Sequence, residues 1–228
     1  MSIAQNIEIV KTNIEKACIR AGRSPEEITL IGVTKTHGAD IINEGIAGGL
    51  SHIGENRVQE LCEKYDNIKK GVHIHLIGHL QSNKVKYIAD KVDLIHSLDS
   101  KNLAKEISAQ AIKKGRIIDA LVQVNISGEE SKSGISPDEL DALLEYAETL
   151  PGIKIKGLMT IPPIDAGDMM TSRKIFEKLR ILFEKTKEKR YNNTVMQHLS
   201  MGMTNDYEIA IEEGSTMVRV GRAIFGNR

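Results

Sequence analysis

The chain has 228 residues, 40% of them hydrophobic, with 31 basic residues against 31 acidic ones. That length buries a large core, and the balanced charge advertises neither a basic face for nucleic acid nor an acidic disordered tail. Aromatic content is 4% with no Trp, so stacking platforms for bases or sugars are scarce.

The opening segment sets Ile3, Ile7, Val10, Ile14, Ala17 and Ala21 at spacings of three and four, which predicts a helix over 2–21 with Gly22 as its stop. Its other face is charged, so it reads as neither a signal peptide nor an anchor. No apolar run approaches the roughly 20 residues of a membrane span. Cys18 and Cys62 lack CxxC spacing and read as ordinary thiols of a reducing cytosol. From residue 28, short β-branched runs alternate with longer segments of helical period. The runs cover 28–34, 50–54, 73–78, 92–97, 117–126, 153–160, 194–200 and 215–221. Helical candidates fill 39–48, 55–67, 81–91, 100–114, 136–149, 168–190 and 205–213. Ser82 reads as a cap of its helix, and Ser136, Pro137, Asp138 and Glu139 set a cap, a first-turn proline and acidic residues in series. Pro151 and Gly152 close that helix and open the next strand. The stretch 161–168, IPPIDAGD, is the longest irregular piece and reads as a surface loop. Glu208, Glu212 and Glu213 read as a solvated helix face.

Eight strands alternating with helices leave two architectures, an open doubly wound sheet or a closed eight-stranded barrel. An open sheet more often carries a glycine-rich phosphate loop after its first strand. Here that position reads TKTHGAD, and the chain has no GxGxxG, GKS or GKT. The expectation is an α/β chain forming one (β/α)8 TIM barrel over residues 1–228, with an extra helix ahead of the first strand. Chemistry in such barrels gathers at the carboxyl ends of the strands. Ile77 and Met159, at two of those ends, read as packing of the top layer. Lys35 ends the first strand on the side of Ile31 and Val33, because side chains alternate along a strand. A lysine there can simply lay its stem on apolar surface. Strand eight, however, closes against strand one, and its run MVRVGR (217–222) brings Arg219 beside the first strand. Strand seven exits through LSMGMT (199–204), whose small residues and hydroxyls suit an oxyanion. The loops after strands seven and eight are the recurrent phosphate site of this architecture, and a short helix starting near Gly221 would add its dipole. Each feature alone is ordinary turn chemistry. Together they place an amine and an anion cradle at one mouth, which is what pyridoxal phosphate requires.

The segments VTKT (33–36), GENRVQE (54–60), HLIGHLQSNK (75–84), VNISGEESKSG (124–134), GLMTI (157–161) and LSMGMTNDYEIAIEEGSTMVRVGRAIFG (199–226) are similar to those of the pyridoxal phosphate homeostasis family. The resemblance runs over nearly the whole chain. It implies a single-domain barrel of the alanine-racemase type in which Lys35 holds pyridoxal 5'-phosphate as a Schiff base. By the same resemblance Arg219 faces the pyridine nitrogen, and Ser200, Gly202 and Gly221 line the phosphate. Met201, Thr204 and Arg222, from the same two segments, join the cofactor-binding set. Lys132 matches a lysine associated with cofactor exchange. Asn56, just past the second strand, lies at the correct end to contact the cofactor, or else caps a turn. Many members carry a lysine and a proline where this chain has His37 and Gly38, so an accessory amine is not expected there.

An arginine beside the pyridine nitrogen disfavours its protonation and weakens the ring as an electron sink. The chain also ends at Arg228, soon after strand eight, whereas the racemases draw a second acid/base from a further domain. The expected protein is therefore a cytoplasmic monomer that holds and delivers pyridoxal phosphate without robust amino-acid turnover. Its expected partners are the cofactor and, transiently, apo-enzymes that use it; nucleic acid and membrane are not among them. One alternative is a racemase or lyase served by the same barrel and Lys35. Another is a metal-dependent hydrolase, since His73 and His75 share a strand face with His79 close by. Against the latter, His73 starts its strand, far from the mouth, and no carboxylate supports it.

Overall fold

The β-branched and aliphatic runs become eight short parallel strands in the computed structural model, which describes residues 1–129, 132–163 and 169–226. They are β1 (Thr29–Val33), β2 (His52–Glu55), β3 (His73–Leu76), β4 (Leu94–Leu98), β5 (Ile118–Gln123), β6 (Ile153–Met159), β7 (Thr194–Met203) and β8 (Met217–Val220). The helices are α1 (Ile3–Ala21), α2 (Ala39–Ala47), α3 (Val58–Lys64), α4 (Lys101–Lys113), α5 (Leu140–Ala147), α6 (Met169–Lys187), α7 (Tyr207–Glu212) and α8 (Arg222–Phe225). The strands close in chain order into a barrel, and β1 seals against β8 with Ile31 opposite Arg219. The expected barrel is the observed one.

One helix is corrected. Residues 81–91 form only a 3-10 stretch at Ser82–Tyr87, with Gln81 and not Ser82 at the N-cap position. Ser82 instead accepts a hydrogen bond from Asn102 Nδ2 at 3.0 Å. Ser82 and Asn83 favour turns and Val85 is β-branched, so the buried contacts of Val85 and Ile88 decide the conformation, not helix propensity. The Ser136 cap does form, as a capping box with Glu139. Of the surface loop expected at 161–168, residues 164–168 lie outside the described residues.

Inside the barrel, Ile31, Leu94, Leu121, Met159 and Met217 make one apolar layer drawn from five strands. Outside, the helices bury a much larger aliphatic shell. Helix α1 lies over the β8–β1 side, where Ile7, Val10, Ile14, Ala17 and Cys18 pack with Tyr207, Ile211, Val218, Val220 and Ile224. Ser2 caps its start through a box with Gln5, and Gly22, left-handed at φ 65°, ends it. Asn6 Nδ2 donates to the Ile224 carbonyl at 2.8 Å, which ties α1 to α8. A glycine is required where β6 meets β7. Gly157 has φ 149°, and a Cβ there would stand 1.9 Å from the His198 carbonyl oxygen, at a break in the strand register. No helix among the described residues is long and apolar enough to cross a membrane.

The acidic run on α7 is not a solvated face. Glu212 pairs with Arg20 at 2.7 Å and Arg173 at 2.5 Å, Glu208 with Arg20 at 2.9 Å, and Glu213 with Arg173 at 2.7 Å. These pairs clip α1 and α6 to α7, a long-range role that no local pattern announces.

Candidate functional site: the barrel mouth

The turn that carries Lys35 is unusually well held. Past Val33 the backbone continues β-like for one residue, with Thr34 N–H donating to the Gly54 carbonyl at 3.0 Å, and then turns so that His37 N–H reaches the Thr34 carbonyl at 3.1 Å. Thr36 sits at φ 66°, a left-handed conformation that a β-branched residue rarely adopts. A buried lysine grips both sides of this turn. Lys64 Nζ donates to the carbonyls of Thr34 and His37, each at 3.1 Å, and pairs with Glu55 at 2.8 Å and Glu60 at 2.9 Å. Glu60 in turn accepts the N–H of Thr36, and Glu55 accepts the Thr34 hydroxyl. Burial pushes the Glu55 carboxyl up from its ordinary range, and the bonds from Lys64 and Thr34 pull it back. The His37 ring rests on Phe225 of α8 at 5.1 Å between centroids. Lys35, itself half-buried, therefore projects from a braced turn rather than a loose loop. Replacing Thr36→Gly relieves the left-handed strain, so the unfolding free energy from urea titration is expected to rise by about 1 kcal/mol.

Register decides what faces Lys35. Val33 pairs with Gly54, so Lys35 and Asn56 follow at equal steps beyond the ends of neighbouring strands. On the other flank, Gly221 stands against Val33, where a Cβ at Gly221 would lie 3.4 Å from Val33 Cβ. Gly221 N–H donates to Thr204 Oγ1 at 3.2 Å, which joins the exits of β7 and β8 into one corner. Lys35, Asn56, Thr204, Arg219, Gly221 and Arg222 thus stand at or just past the carboxyl ends of β1, β2, β7 and β8. Helix α8 has a single turn and so a weak macrodipole. Its contribution to an anion is the first N–H groups, which have no partner within the helix.

Arg219 is the most constrained of these groups. It is 3% exposed, donating through Nη1 to Ser200 Oγ at 2.5 Å and through Nη2 to the Thr160 carbonyl at 2.9 Å. Burial lowers its pKa to about 10, opposed by the charge of Asp206, with which it shares no hydrogen bond among the described residues. Asp206 accepts the Met203 N–H at 2.6 Å, and burial raises its own pKa. Asn56 Oδ1 is buried with no partner. A buried guanidinium without a paired carboxylate and an orphaned amide oxygen are two costs that an added polar ligand would offset.

Three residues of the expected cofactor-binding set are packed or bonded within the protein itself. Met201 is fully buried in the outer shell, so its side chain faces away from the mouth. Gly202, at φ 92°, faces α7, where a Cβ would stand 2.5 Å from Ala210 Cβ. Close packing against α7 therefore requires a glycine there. The Ser200 hydroxyl is taken up inside the barrel by Arg219 and His96, because Ser200 pairs with Met159 and Met217, which both face inward. Lys132 is half-buried in the loop after β5, a loop held by Gln123 Nε2 donating to the Ser133 carbonyl at 3.1 Å. Lys64 and Glu55 were invisible as site residues, although a lysine at a buried helix position after GEN was a signal. His96 was also missed, and His75 was weighed only as a strand-face partner of His73. Each sits mid-strand at an inward-facing position, and their hydrogen bonds run into the site. No group of three or more His, Cys, Asp or Glu among the described residues could hold a metal ion. His73 and His79 lie instead near Asp93 at 3.7 Å and Asp99 at 3.3 Å.

Fold and mouth together define a class: a closed (β/α)8 barrel, banded by an N-terminal helix, with an amine set beside an anion corner. Residues 5–228 match the family model described as alanine racemase, N-terminal domain. The chain belongs to that family, and within it to the pyridoxal phosphate homeostasis proteins. It is 46% identical over 229 residues to the pyridoxal phosphate homeostasis protein of Aquifex aeolicus, covering 100% of this chain and 99% of that protein. The Escherichia coli K12 protein of the same name is 40% identical over 230 residues, covering 99% and 97%. Among solved structures, PipY of Synechococcus elongatus with PLP bound superposes with a TM-score of 0.85 at 32% identity, over 99% of this chain and 100% of that one. An alanine racemase of Clostridium difficile shares the fold at 15% identity and a TM-score of 0.75, and this chain spans 57% of it.

Proposed function

We propose that this chain binds pyridoxal 5'-phosphate and takes part in its homeostasis, holding and delivering the cofactor rather than turning over amino acids. The observation that carries the reading is the convergence of Lys35 with the Thr204–Gly221–Arg222 corner at one rim. Pyridoxal phosphate, when bound, supplies an aldehyde on an electron-withdrawing ring. Lys35 provides the amine that bonds the aldehyde carbon with loss of water. Thr204 Oγ1, the Gly221 N–H and the first N–H groups of α8 provide donors for the phosphate, with Arg222 adding charge. Asn56 offers its orphaned amide to the ring substituents. Arg219, a cation on the strand that pairs with β1, would face the ring nitrogen and oppose its protonation.

That last feature favours a holder over a racemase or lyase. A ring nitrogen kept unprotonated withdraws electrons weakly, so the site supports reversible anchoring better than carbanion chemistry. The relatives named as homeostasis proteins, and PipY with its bound PLP, support the same reading. A half-buried, braced Lys35 is also suited to exchange, since the cofactor can leave by hydrolysis at the open mouth. Delivery would be to apo-enzymes that use the cofactor, with the chain acting as a cytoplasmic monomer and Lys132 beside the exit path.

The test is spectroscopic. Protein incubated with pyridoxal phosphate is expected to gain a visible absorbance band, and borohydride reduction should leave the cofactor's mass on the peptide bearing Lys35. Lys35→Ala should lose both signals while keeping its fold by circular dichroism. A label found on another lysine would overturn the anchor assignment, and racemisation of an amino acid at ordinary enzyme rates would overturn the holder.

A further inference from the structure

The barrel interior holds a line of polar side chains that the anchoring chemistry does not use. His52 Nδ1 lies 2.9 Å from His75 Nε2, His75 Nδ1 lies 2.9 Å from His96 Nε2, and His96 Nδ1 lies 2.9 Å from Ser200 Oγ. Ser200 then meets Arg219. The line runs from the half-buried floor of the barrel to the mouth, through side chains of which His75, His96 and Ser200 are at most 2% exposed. Apolar layers are the rule in such barrels, so a polar column through the centre calls for a reason.

The chemistry of the upper end sets the direction of every proton below it. A guanidinium only donates, so Ser200 Oγ must accept from Arg219. The single Ser200 proton then goes to its other neighbour, His96 Nδ1, which must be an acceptor. His96 therefore carries its proton on Nε2 and donates to His75 Nδ1. His75 likewise carries its proton on Nε2 and donates to His52 Nδ1. The reverse order would aim two donors at Ser200 and leave its own proton without an acceptor, at about 1–3 kcal/mol. Charging the column is also opposed. Burial, each other's proximity and the Arg219 cation hold His96 well below the ordinary histidine range, and burial with the neighbouring histidines pushes His75 down to about 3. Neutral rings of one tautomer orient; they do not carry protons.

We propose that His52, His75 and His96 form a one-directional hydrogen-bond column that keeps Ser200 an acceptor for Arg219, and so aims the guanidinium at the ring nitrogen of the bound cofactor. The aiming role rests on the pyridoxal phosphate reading, whereas the column itself does not. His96 is a positioning residue in this scheme. Its Nδ1 is the atom that matters to the mouth, and its Nε2 connects downward.

Two measurements test it. In the ligand-free protein, nitrogen-15 NMR of the histidine rings is expected to find His75 and His96 neutral and protonated on Nε2. A proton on Nδ1 of His96, or an imidazolium at neutral pH, overturns the column. The second measurement compares two amides at one position. His96→Asn keeps an acceptor where Nδ1 stood, and should retain the parent's pyridoxal phosphate affinity and absorbance band. His96→Gln carries its amide where Nε2 stood and withdraws the acceptor from Ser200. It should weaken binding by about tenfold and shift the band, because Arg219 loses its fixed aim. Equal behaviour of the two folded variants overturns the aiming role. Should His96→Gln fail to fold, the tautomer measurement on the parent protein decides the column, and a His96→Asn variant that loses the band overturns the aim. Parent protein with the expected tautomers and no uptake of pyridoxal phosphate overturns the functional reading and the aim with it, and leaves the column standing.

Discussion

Acidification from pH 7 to pH 4 is expected to lower the unfolding free energy by about 3 kcal/mol through buried His75 alone, with His96 adding a loss of the same sign. His75 and His96 are neutral in the folded barrel, with pKa values pushed down to about 3 and well below the ordinary range. In the unfolded chain both titrate at the ordinary value of about 6.5. The unfolded state therefore binds two more protons below that value, and ∂ΔG/∂pH is positive. The stabilisation is full above about pH 6.5, falls by about 1.4 kcal/mol per histidine for each pH unit below it, and stops falling only when the folded group protonates. Glu55, Asp99 and Asp206, whose pKa values are raised by burial, act in the opposite sense in the carboxylate range. A loss of this size is a large share of the stability of an ordinary domain. Urea titrations at several pH values give the slope directly. A stability that stays flat down to pH 4 would mean that the histidines are not held neutral.

The second large effect lies at Lys64. Its ammonium is nearly buried, and it is the shared partner of Glu55, Glu60 and two turn carbonyls. Lys64→Met leaves Glu55 buried and unpaired, with Oε2 already lacking a partner. Breaking a buried pair on one side costs about 3–5 kcal/mol, and that is the expected loss in unfolding free energy. The double variant Lys64→Met with Glu55→Leu removes both charges and should recover most of it. Cofactor binding should separate the two roles. Both variants release the carbonyls of Thr34 and His37, so both should hold pyridoxal phosphate more weakly even where stability returns. A double variant that regains stability and binds as tightly as the parent would show that Lys64 braces the fold and not the Lys35 turn.

Much of the architecture was legible in local pattern. The eight runs from 28–34 to 215–221 all became strands because most concentrate β-branched and aliphatic residues between turn signals, and that composition suits strands buried on both faces. The helix at 81–91 failed because its residues were nearly neutral in propensity, so packing of Val85 and Ile88 made the choice. Lys35 and Arg219 were legible as a pair because barrel closure pairs β1 with β8, and alternation then sets their sides. Alternation along β7 sets Ser200 inward and Met201 outward but cannot place Gly202, since it presumes a regular ladder and the β7–β8 register shifts between Ser200 and Met203. One extra residue sends Gly202 toward α7, whereas Ser200 keeps the inward face of its strand partners Met159 and Met217.

From its residues alone, this chain determined the barrel, the order of its strands and the end at which an amine and an anion corner would meet. Those depend on periodicity and on rules of closure that act over a few residues at a time. Only the tertiary structure decided that Lys64 clamps the turn of Lys35, that Arg20 and Arg173 claim the carboxylates of α7, and that three histidines line up beneath Arg219. The bonds just named span 21 to 192 positions of chain. Their strength depends on burial and on angles fixed by the whole packing, which no local spacing encodes.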